Sequence, residues 1–243
     1  LAVINSRLKN YKYFVSKIKS RNLKLITYGS KDVYFQQTKF FLTLNILGKK
    51  YNIKDLKLNN IQKENLECAI ACALAVKIKI NDIIKTLDKL KSPSGRFEEI
   101  IYRKKSSKII IDYAHTPDAM QNVLKSYTNK SFKPSLVFGC GGERDKSKRK
   151  KMSVIANKYA KKVYLTDDNP RNENANSIRK TLKKYCHKAR DISNRRLAIQ
   201  TAISEMHQKD ILIIAGKGHE KYQIIKNKNY LFDDFKVAKD FIK

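Results

Sequence analysis

Four short apolar runs, each followed at once by polar or glycine-rich sequence, constrain the fold of this chain more than any other feature. Lys108–Asp112 (KIIID) runs into DYAHTPD, and Ser135–Phe138 (SLVF) into FGCGGERDKSKR. Lys162–Thr166 (KVYLT) runs into TDDNPR, and Asp210–Ala215 (DILIIA) into AGKGHE. Runs this short, apolar without alternation, are strands buried on both faces. Helical segments lie between and after them, over Pro117–Tyr127 and about 148–160, 175–185 and 195–206. Strand–helix alternation of this kind predicts an open parallel α/β sheet. A hairpin over YQIIKNKNYLF and a closing helix over about 235–242 complete this part.

The first third is less regular. Leu23–Tyr28 and Phe40–Leu47 read as strands, with Gly29 and Gly48 as turn signals. Glu64–Val76 (ENLECAIACALAV) reads as a helix whose alanines at 69, 71, 73 and 75 allow close packing on a sheet. A second helix, Ile80–Leu90, carries apolar residues at 80, 83, 84, 87 and 90 on one face. The KSPSG stretch at 91–95 is the one Pro/Ser/Gly cluster and reads as a linker, with a domain boundary near Ser94. A chain of 243 residues accommodates one large or two modest domains. The expected division is 1–94 and 95–243.

Composition excludes several classes. No apolar run approaches the roughly 18 residues of a membrane span, so no membrane is expected as a partner. The N-terminus, LAVINSRLKN, lacks the charged and apolar regions of a secretory signal and has no initiator Met, which points to a start within a longer protein. Cys68, Cys72, Cys140 and Cys186 form no CxxC pair, and free thiols suit a cytoplasmic location. The i,i+4 pair Cys68 and Cys72 is expected to pack inside its helix. The formal charge of +31 raises the question of nucleic acid. The lysines are spread along the chain among Ile, Asn and Tyr, and no RNP aromatics, zinc-finger spacing or GXXG clamp accompanies them. The charge implies solubility and loose attraction to polyanions, with no specific nucleic acid as partner.

In open α/β sheets ligands bind beyond the carboxyl ends of the strands. Four unusual strand ends on one edge of one sheet therefore mark a site. Singly, each has a plain structural reading. Asp112 can be a polar strand end, His115 a cap for the helix at Pro117, and the glycines at 139, 141, 142, 216 and 218 backbone requirements. Asp168-Asn169-Pro170 is good turn chemistry. GxxxxGK[ST] and GxGxxG are both absent from the sequence, as are HExxH and a Ser–His–Asp order. With four histidines, a metal cluster is not expected.

GRFE at 95–98, DYAHTPDAM at 112–120, FGCGGERDKSKR at 138–149, TDDNPR at 166–171 and AGKGHE at 215–220 occur in this order. Together they closely resemble the C-terminal domain of the Mur ligases, and DNPR resembles the branch that adds meso-diaminopimelate as the third peptide residue. The resemblance is strong from Gly95 to the end. Before that, AVIN at 2–5 and the Asn65–Ala75 helix resemble the later part of the central ATPase domain more weakly. The implied fold class is α/β: a C-terminal Rossmann-like open sheet domain plus the later part of a central α/β ATPase domain.

The resemblance implies an ATP-dependent amide-forming ligase working through an acyl phosphate in peptidoglycan precursor synthesis. Its partners would be meso-diaminopimelate, ATP or ADP, and UDP-N-acetylmuramoyl dipeptide. Arg171 occupies the family position of a carboxylate reader, a task that suits the two parallel donors of a guanidinium. Arg144 resembles a second carboxylate contact. By the same resemblance Asp168 and Asn169 supply acceptors for an ammonium group, Pro170 fixes the turn that aims Arg171, Gly216 offers backbone at close approach, and Glu220 accepts from the substrate amine. Asn65, Arg96, Asp112 and His115 match nucleotide-binding positions, between the two domains. No catalytic residue falls within this chain by resemblance. The Mg²⁺-binding Glu and His, the carbamylated Lys and the UDP-sugar domain would all precede Leu1. The chain departs from the family pattern at Ile61-Gln62, where an aromatic–Asn pair is usual, and at Ser6-Arg7, where acidic residues are common. Folate polyglutamate or cyanophycin-type ligases share the domain layout but have no need of DNPR with a GGERD arginine. A basic nucleic-acid module rests on charge alone.

Overall fold

The computed structural model describes residues 1–243 except Lys39, Phe40, Lys54, Asp55, Lys57 and Lys91. The chain divides into two compact units, Leu1–Lys91 and Ser92–Lys243. Among the described residues no helix is long and apolar enough to cross a membrane.

The first unit comprises β1 (Ala2–Asn5), α1 (Tyr11–Ser20), β2 (Leu25–Tyr28), β3 (Val33–Gln37), β4 (Leu42–Ile46), β5 (Lys49–Ile53), α2 (Asn60–Ala75) and α3 (Ile80–Leu87). Its sheet runs β1-β2-β3-β4-β5, parallel over the first three strands and antiparallel from β3 to β5. The predicted strand at Phe40–Leu47 corresponds to β4, and Phe40 itself lies outside the described residues. Ile70 and Ala71 of α2 and Ile83 and Leu87 of α3 pack with Val33, Leu44 and Ile46.

Helix α2 starts four residues before the predicted Glu64 because Asn59 and Gln62 form a reciprocal capping box. The Gln62 N–H donates to Asn59 Oδ1 at 2.9 Å, and the Asn59 N–H donates to Gln62 Oε1 at 3.0 Å. Such a cap contributes about 1 kcal/mol. Two expectations for this helix are corrected. Cys68 is half-buried and Cys72 exposed, so the pair does not pack inside. The inward face carries Glu67, Ile70 and Ala71, which leaves Ala69 in solvent. Burial raises the Glu67 carboxyl above its usual range, opposed by the Phe35 N–H and by Arg7.

The second unit contains β6 (Glu98–Tyr102), β7 (Ser107–Asp112), α4 (Pro117–Ser126), β8 (Ser135–Phe138), α5 (Ser147–Tyr159), β9 (Val163–Leu165), α6 (Ala175–Tyr185), β10 (Arg190–Asp191), α7 (Arg195–Ser204), β11 (Ile211–Ala215), the hairpin β12 (Tyr222–Ile225) and β13 (Lys228–Leu231), and α8 (Asp234–Phe241). Six strands form one sheet in the order β10-β9-β8-β11-β7-β6. All its pairings are parallel except β6 on β7, so the predicted parallel sheet carries an antiparallel edge.

Side chains of β7 and β11 alternate between two cores. Ile110 and Ile213 face α4, α5 and α6, where Met120, Leu124, Met152, Ala156, Ile178 and Leu182 pack. Ile109, Ile111, Leu212 and Ile214 face the other way, toward Ala198, Ile199, Ile203 and Val237 of α7 and α8. Both faces are thus covered, which is why these strands read as continuous apolar runs. Each fully buried isoleucine contributes roughly 1.5–3 kcal/mol. Thr116, Asn174, Asn194 and Asp233 cap α4, α6, α7 and α8 through their side chains. Thr116, and not His115, is therefore the cap of α4. Because β11 inserts between β7 and β8, the loops after β7, β8, β9 and β11 converge on one edge.

Candidate functional site

Close backbone contacts bring the loops together. A Cβ at Gly142 would lie 2.0 Å from the Pro170 carbonyl oxygen, so only glycine lets the β8 loop rest on the β9 loop. The Gly142 N–H donates to the Asn169 carbonyl at 2.9 Å and secures the contact. Gly95 and Gly218, both at positive φ, meet the same way. A Cβ on Gly95 would lie 2.1 Å from the His219 nitrogen, and one on Gly218 2.6 Å from the Gly95 oxygen. The first and last of the sequence motifs are therefore spatial neighbours.

These loops enclose a cleft of about 440 Å³ lined in part by Tyr113, His115, Arg144, Asp168, Asn169, Arg171, Gly216 and Glu220. The structure thus gathers His115 and five of the six side chains expected to bind the amino acid; Pro170 is buried behind them. Arg171 adopts a left-handed backbone, φ +51°, and bridges to Ile225 of the hairpin. Its N–H donates to the Ile224 carbonyl at 3.1 Å, and its carbonyl accepts from the Lys226 N–H at 2.8 Å. Its Nη1 donates to the carbonyls of Gly142 at 2.8 Å and Asn169 at 3.4 Å. Among the described residues Nε and Nη2 meet no acceptor. The fork is therefore aimed before any ligand arrives. Arg144 is exposed on the same cleft.

A negative pole is built from Asp168 and Glu220. Between them lies Lys217, whose side chain is 0% exposed. Its Nζ donates to Asn169 Oδ1 at 2.8 Å and lies 3.4 Å from Glu220 Oε2 and 3.7 Å from Asp168 Oδ1. Asn169 Oδ1 also accepts from the Ile224 N–H at 3.0 Å, and Asn169 Nδ2 donates to Glu220 Oε2 at 2.9 Å. The ammonium from which the Asn169 oxygen accepts in this structure is that of Lys217. Both lone pairs of that oxygen are occupied, and the group Asn169 presents is a donor. Beneath lies a second buried cation. Arg195 is paired in bidentate fashion with Asp234 at 2.8 and 2.7 Å, and its Nη2 also donates to the Ala215 carbonyl at 3.0 Å. Its Nη1 is buried and has no hydrogen-bond partner among the described residues. Desolvation works to lower the Arg195 pKa, but Asp234, Asp168 and Glu220 hold it above the ordinary value. Asp168, Glu220 and Asp234 thus surround two buried cations, Lys217 and Arg195.

The expected nucleotide residues are less unified. Arg96 stacks on Tyr113, with Cζ 4.5 Å from the ring centroid, and the His115 and His219 rings lie 4.5 and 5.1 Å from the same ring. Asp112 is buried below, where Oδ2 accepts from the Phe97 N–H at 2.9 Å and Oδ1 from the Ala114 N–H at 2.8 Å. Burial raises its pKa, opposed by those two N–H groups and by Arg96. Asn65 is exposed on α2 of the first unit.

Neighbouring charges hold the scaffold. Arg149 clasps Glu173 at 2.9 and 3.0 Å and reaches the Gly141 carbonyl at 3.3 Å. Burial pushes the Glu173 carboxyl up, but the Glu143 N–H and Arg149 outweigh it and hold the pKa below its usual value. Arg179 pairs with Asp167 and Asp191, so Asp167 serves the scaffold while Asp168 serves the cleft. A second hollow, of about 640 Å³, lies at the opposite, amino edge of the sheet, lined by Lys105, Lys162 and the 204–208 turn.

Lys217, Arg195 and Arg149 were absent from the residues chosen from sequence. The available signal was position: each flanks a strand's carboxyl end or a glycine turn on that edge. A lysine between glycines ordinarily reads as a solvated loop residue.

Residues 95–218 match the family described as Mur ligase, glutamate ligase domain. The chain belongs to the Mur ligase family. UDP-N-acetylmuramoyl-L-alanyl-D-glutamate–2,6-diaminopimelate ligase of Rickettsia typhi is 37% identical over 257 residues, covering 100% of this chain and 51% of that protein. The Rickettsia rickettsii ligase of the same name is 36% identical over 254 residues, covering 100% and 52%. A solved structure of a ligase of that name superposes with a TM-score of 0.58 at 30% identity, covering 99% of this chain and 52% of its own. The chain spans about half the length of the curated relatives it matches. The Mur ligase match begins at Gly95 and ends at Gly218, the two glycines in contact beside the cleft.

Proposed function

We propose that this chain is the amino-acid-selecting part of an ATP-dependent ligase that adds meso-diaminopimelate to UDP-N-acetylmuramoyl-L-alanyl-D-glutamate. One observation carries the reading: a single cleft is lined both by two arginines, Arg144 and Arg171, and by two acids, Asp168 and Glu220. A ligand end bearing both a carboxylate and an ammonium matches such a cleft, and meso-diaminopimelate presents one at each end. The carboxylate would take the unengaged donors of Arg171 and the exposed Arg144. The Asn169 Nδ2–H adds a donor, and Glu220 with Asp168 receives the ammonium. Pro170 and Gly216 shape the turn and the close approach. Lysine lacks the distal carboxylate and would leave Arg171 unmatched, which costs roughly 2–5 kcal/mol by analogy with a truncated charge pair.

ATP would supply the acyl phosphate in the complete reaction. Arg96 and His115, grouped about Tyr113, are the residues of the second unit best disposed toward a nucleotide, with Asp112 as their buried support; Asn65, exposed on α2 of the first unit, is a separate candidate for nucleotide contact. Lys217 already stands between Asp168 and Glu220, and among the described residues no three His, Cys, Asp or Glu side chains converge as metal ligands. The cleft does not fit a divalent cation, and no step is assigned through one. The 243 residues contain no GxxxxGK[ST] loop to hold phosphates, so the proposed role of this chain is selection of the amino acid.

Titration calorimetry of the full chain with meso-diaminopimelate, L-lysine and L-glutamate tests this. Diaminopimelate should bind, lysine and glutamate far more weakly, and Arg171→Ala should abolish the difference. Equal affinity for all three overturns the reading. Conversion of ATP, diaminopimelate and the UDP-dipeptide to tripeptide by residues 1–243 alone would overturn the restriction to selection.

A further inference from the structure

Lys217 has no task in the reading above, yet its side chain is 0% exposed and its ammonium touches three of the cleft's polar groups. Burying an ammonium is costly unless it is paired and hydrogen-bonded, and packing alone would be served by an apolar chain of the same length. The local geometry gives the charge a purpose. A side-chain amide can present either its oxygen or its NH₂ in a given direction. At Asn169 two donors, Lys217 Nζ at 2.8 Å and the Ile224 N–H at 3.0 Å, converge on one side. Only the oxygen can face them, so Nδ2 is turned toward Glu220, 2.9 Å away. Rotation of the amide by a half-turn would set donor against donor on one side and acceptor against acceptor on the other.

The same ammonium lies between Asp168 and Glu220. Around it stand these two acids, the Tyr222 ring at 6.0 Å, and the Arg195–Asp234 pair beneath the cleft.

We propose that Lys217 is the positioning residue that sets the hydrogen-bond polarity of this cleft, orienting the Asn169 amide and holding Asp168 and Glu220 as acceptors. The part that concerns ligand affinity rests on the amino-acid reading above; the part that concerns Asn169 does not. Lys217 acts through these three side chains and needs no contact with the ligand.

The test uses Lys217→Met in the full chain. The Asn169 Nδ2 resonances are assigned by their loss in Asn169→Asp. In Lys217→Met with an otherwise preserved backbone spectrum, those resonances should move or broaden, and affinity for meso-diaminopimelate should fall about ten- to a hundredfold, the scale of one unsatisfied buried group. Unchanged Asn169 resonances in a folded Lys217→Met protein overturn the proposal. So does diaminopimelate binding within twofold of the unmodified chain. If the unmodified chain binds no diaminopimelate, the amino-acid reading fails and the Asn169 resonances still decide the role of Lys217. If Lys217→Met does not fold, Lys217→Met/Glu220→Gln removes one charge of each sign. Its Asn169 resonances should then differ from those of Glu220→Gln alone, and identity of the two spectra overturns the proposal.

Discussion

The two edges of the six-stranded sheet handle charge in opposite ways. At the amino edge, Glu205 accepts from Lys162 at 3.0 Å and Arg190 at 2.7 Å, all three in partial contact with solvent, and from the hydroxyl of the buried Tyr164 at 2.8 Å. At the carboxyl edge Arg195, Asp234 and Lys217 are sealed from solvent, with Asp168 nearly so. Both edges carry a hollow, so a hollow alone does not distinguish a site from a surface depression. Buried charge does, because water-exposed pairs form at almost no cost while sealed ones persist only where each partner is matched.

The contrast can be broken in three places. The largest effect is expected at Arg195→Leu, which leaves Asp234 buried and unpaired. A loss of about 3–5 kcal/mol should appear in denaturant unfolding. A loss below about 1 kcal/mol would mean that the edges do not differ in kind.

An intermediate effect is expected at Arg149→Met, which frees Glu173. The loss at neutral pH should be about 1–3 kcal/mol. Its pH dependence has a definite sign. The folded pKa of Glu173 lies below its ordinary value, so its stabilisation is complete above the unfolded carboxylate pKa and disappears as pH falls through the folded one. The stabilities of Arg149→Met and the unmodified chain should therefore converge in acid. A constant gap down to the acid transition would assign the effect to packing.

The smallest effect is expected at Glu205→Ala on the amino edge, about 0–1 kcal/mol by thermal unfolding and diminished by salt. A loss comparable to that of Arg195→Leu would erase the comparison.

Legibility from sequence followed burial. The strands β7, β8, β9 and β11 were readable because both faces are covered, so their residues are apolar without interruption. Strand β6, EEIIY, was missed because it is an edge with only Ile100 buried. Strands β3 and β5 were missed for a similar reason, with Gln36, Gln37, Lys49 and Lys50 in solvent. Helix α1 was missed because Asn10 makes no side-chain cap and Ile18 alone is buried. At the cleft, arginines and acids in turn sequences were legible as ligand-facing groups. Lys217 was not, since its burial arises from Asp168 and Asn169, some fifty residues earlier in the chain. The donor character of Asn169 was equally hidden, because it depends on the Ile224 amide of a hairpin that carries no motif.

The contact between Gly95 and Gly218 has a mechanical corollary. The chain enters its second unit at the rim of the cleft, with the Gly95 backbone resting against the backbone that carries His219 and Glu220. Close-packed backbone transmits displacement and does not absorb it. A side chain at Gly95 would therefore have to part the two backbones, displacing the segment that leads to Glu220.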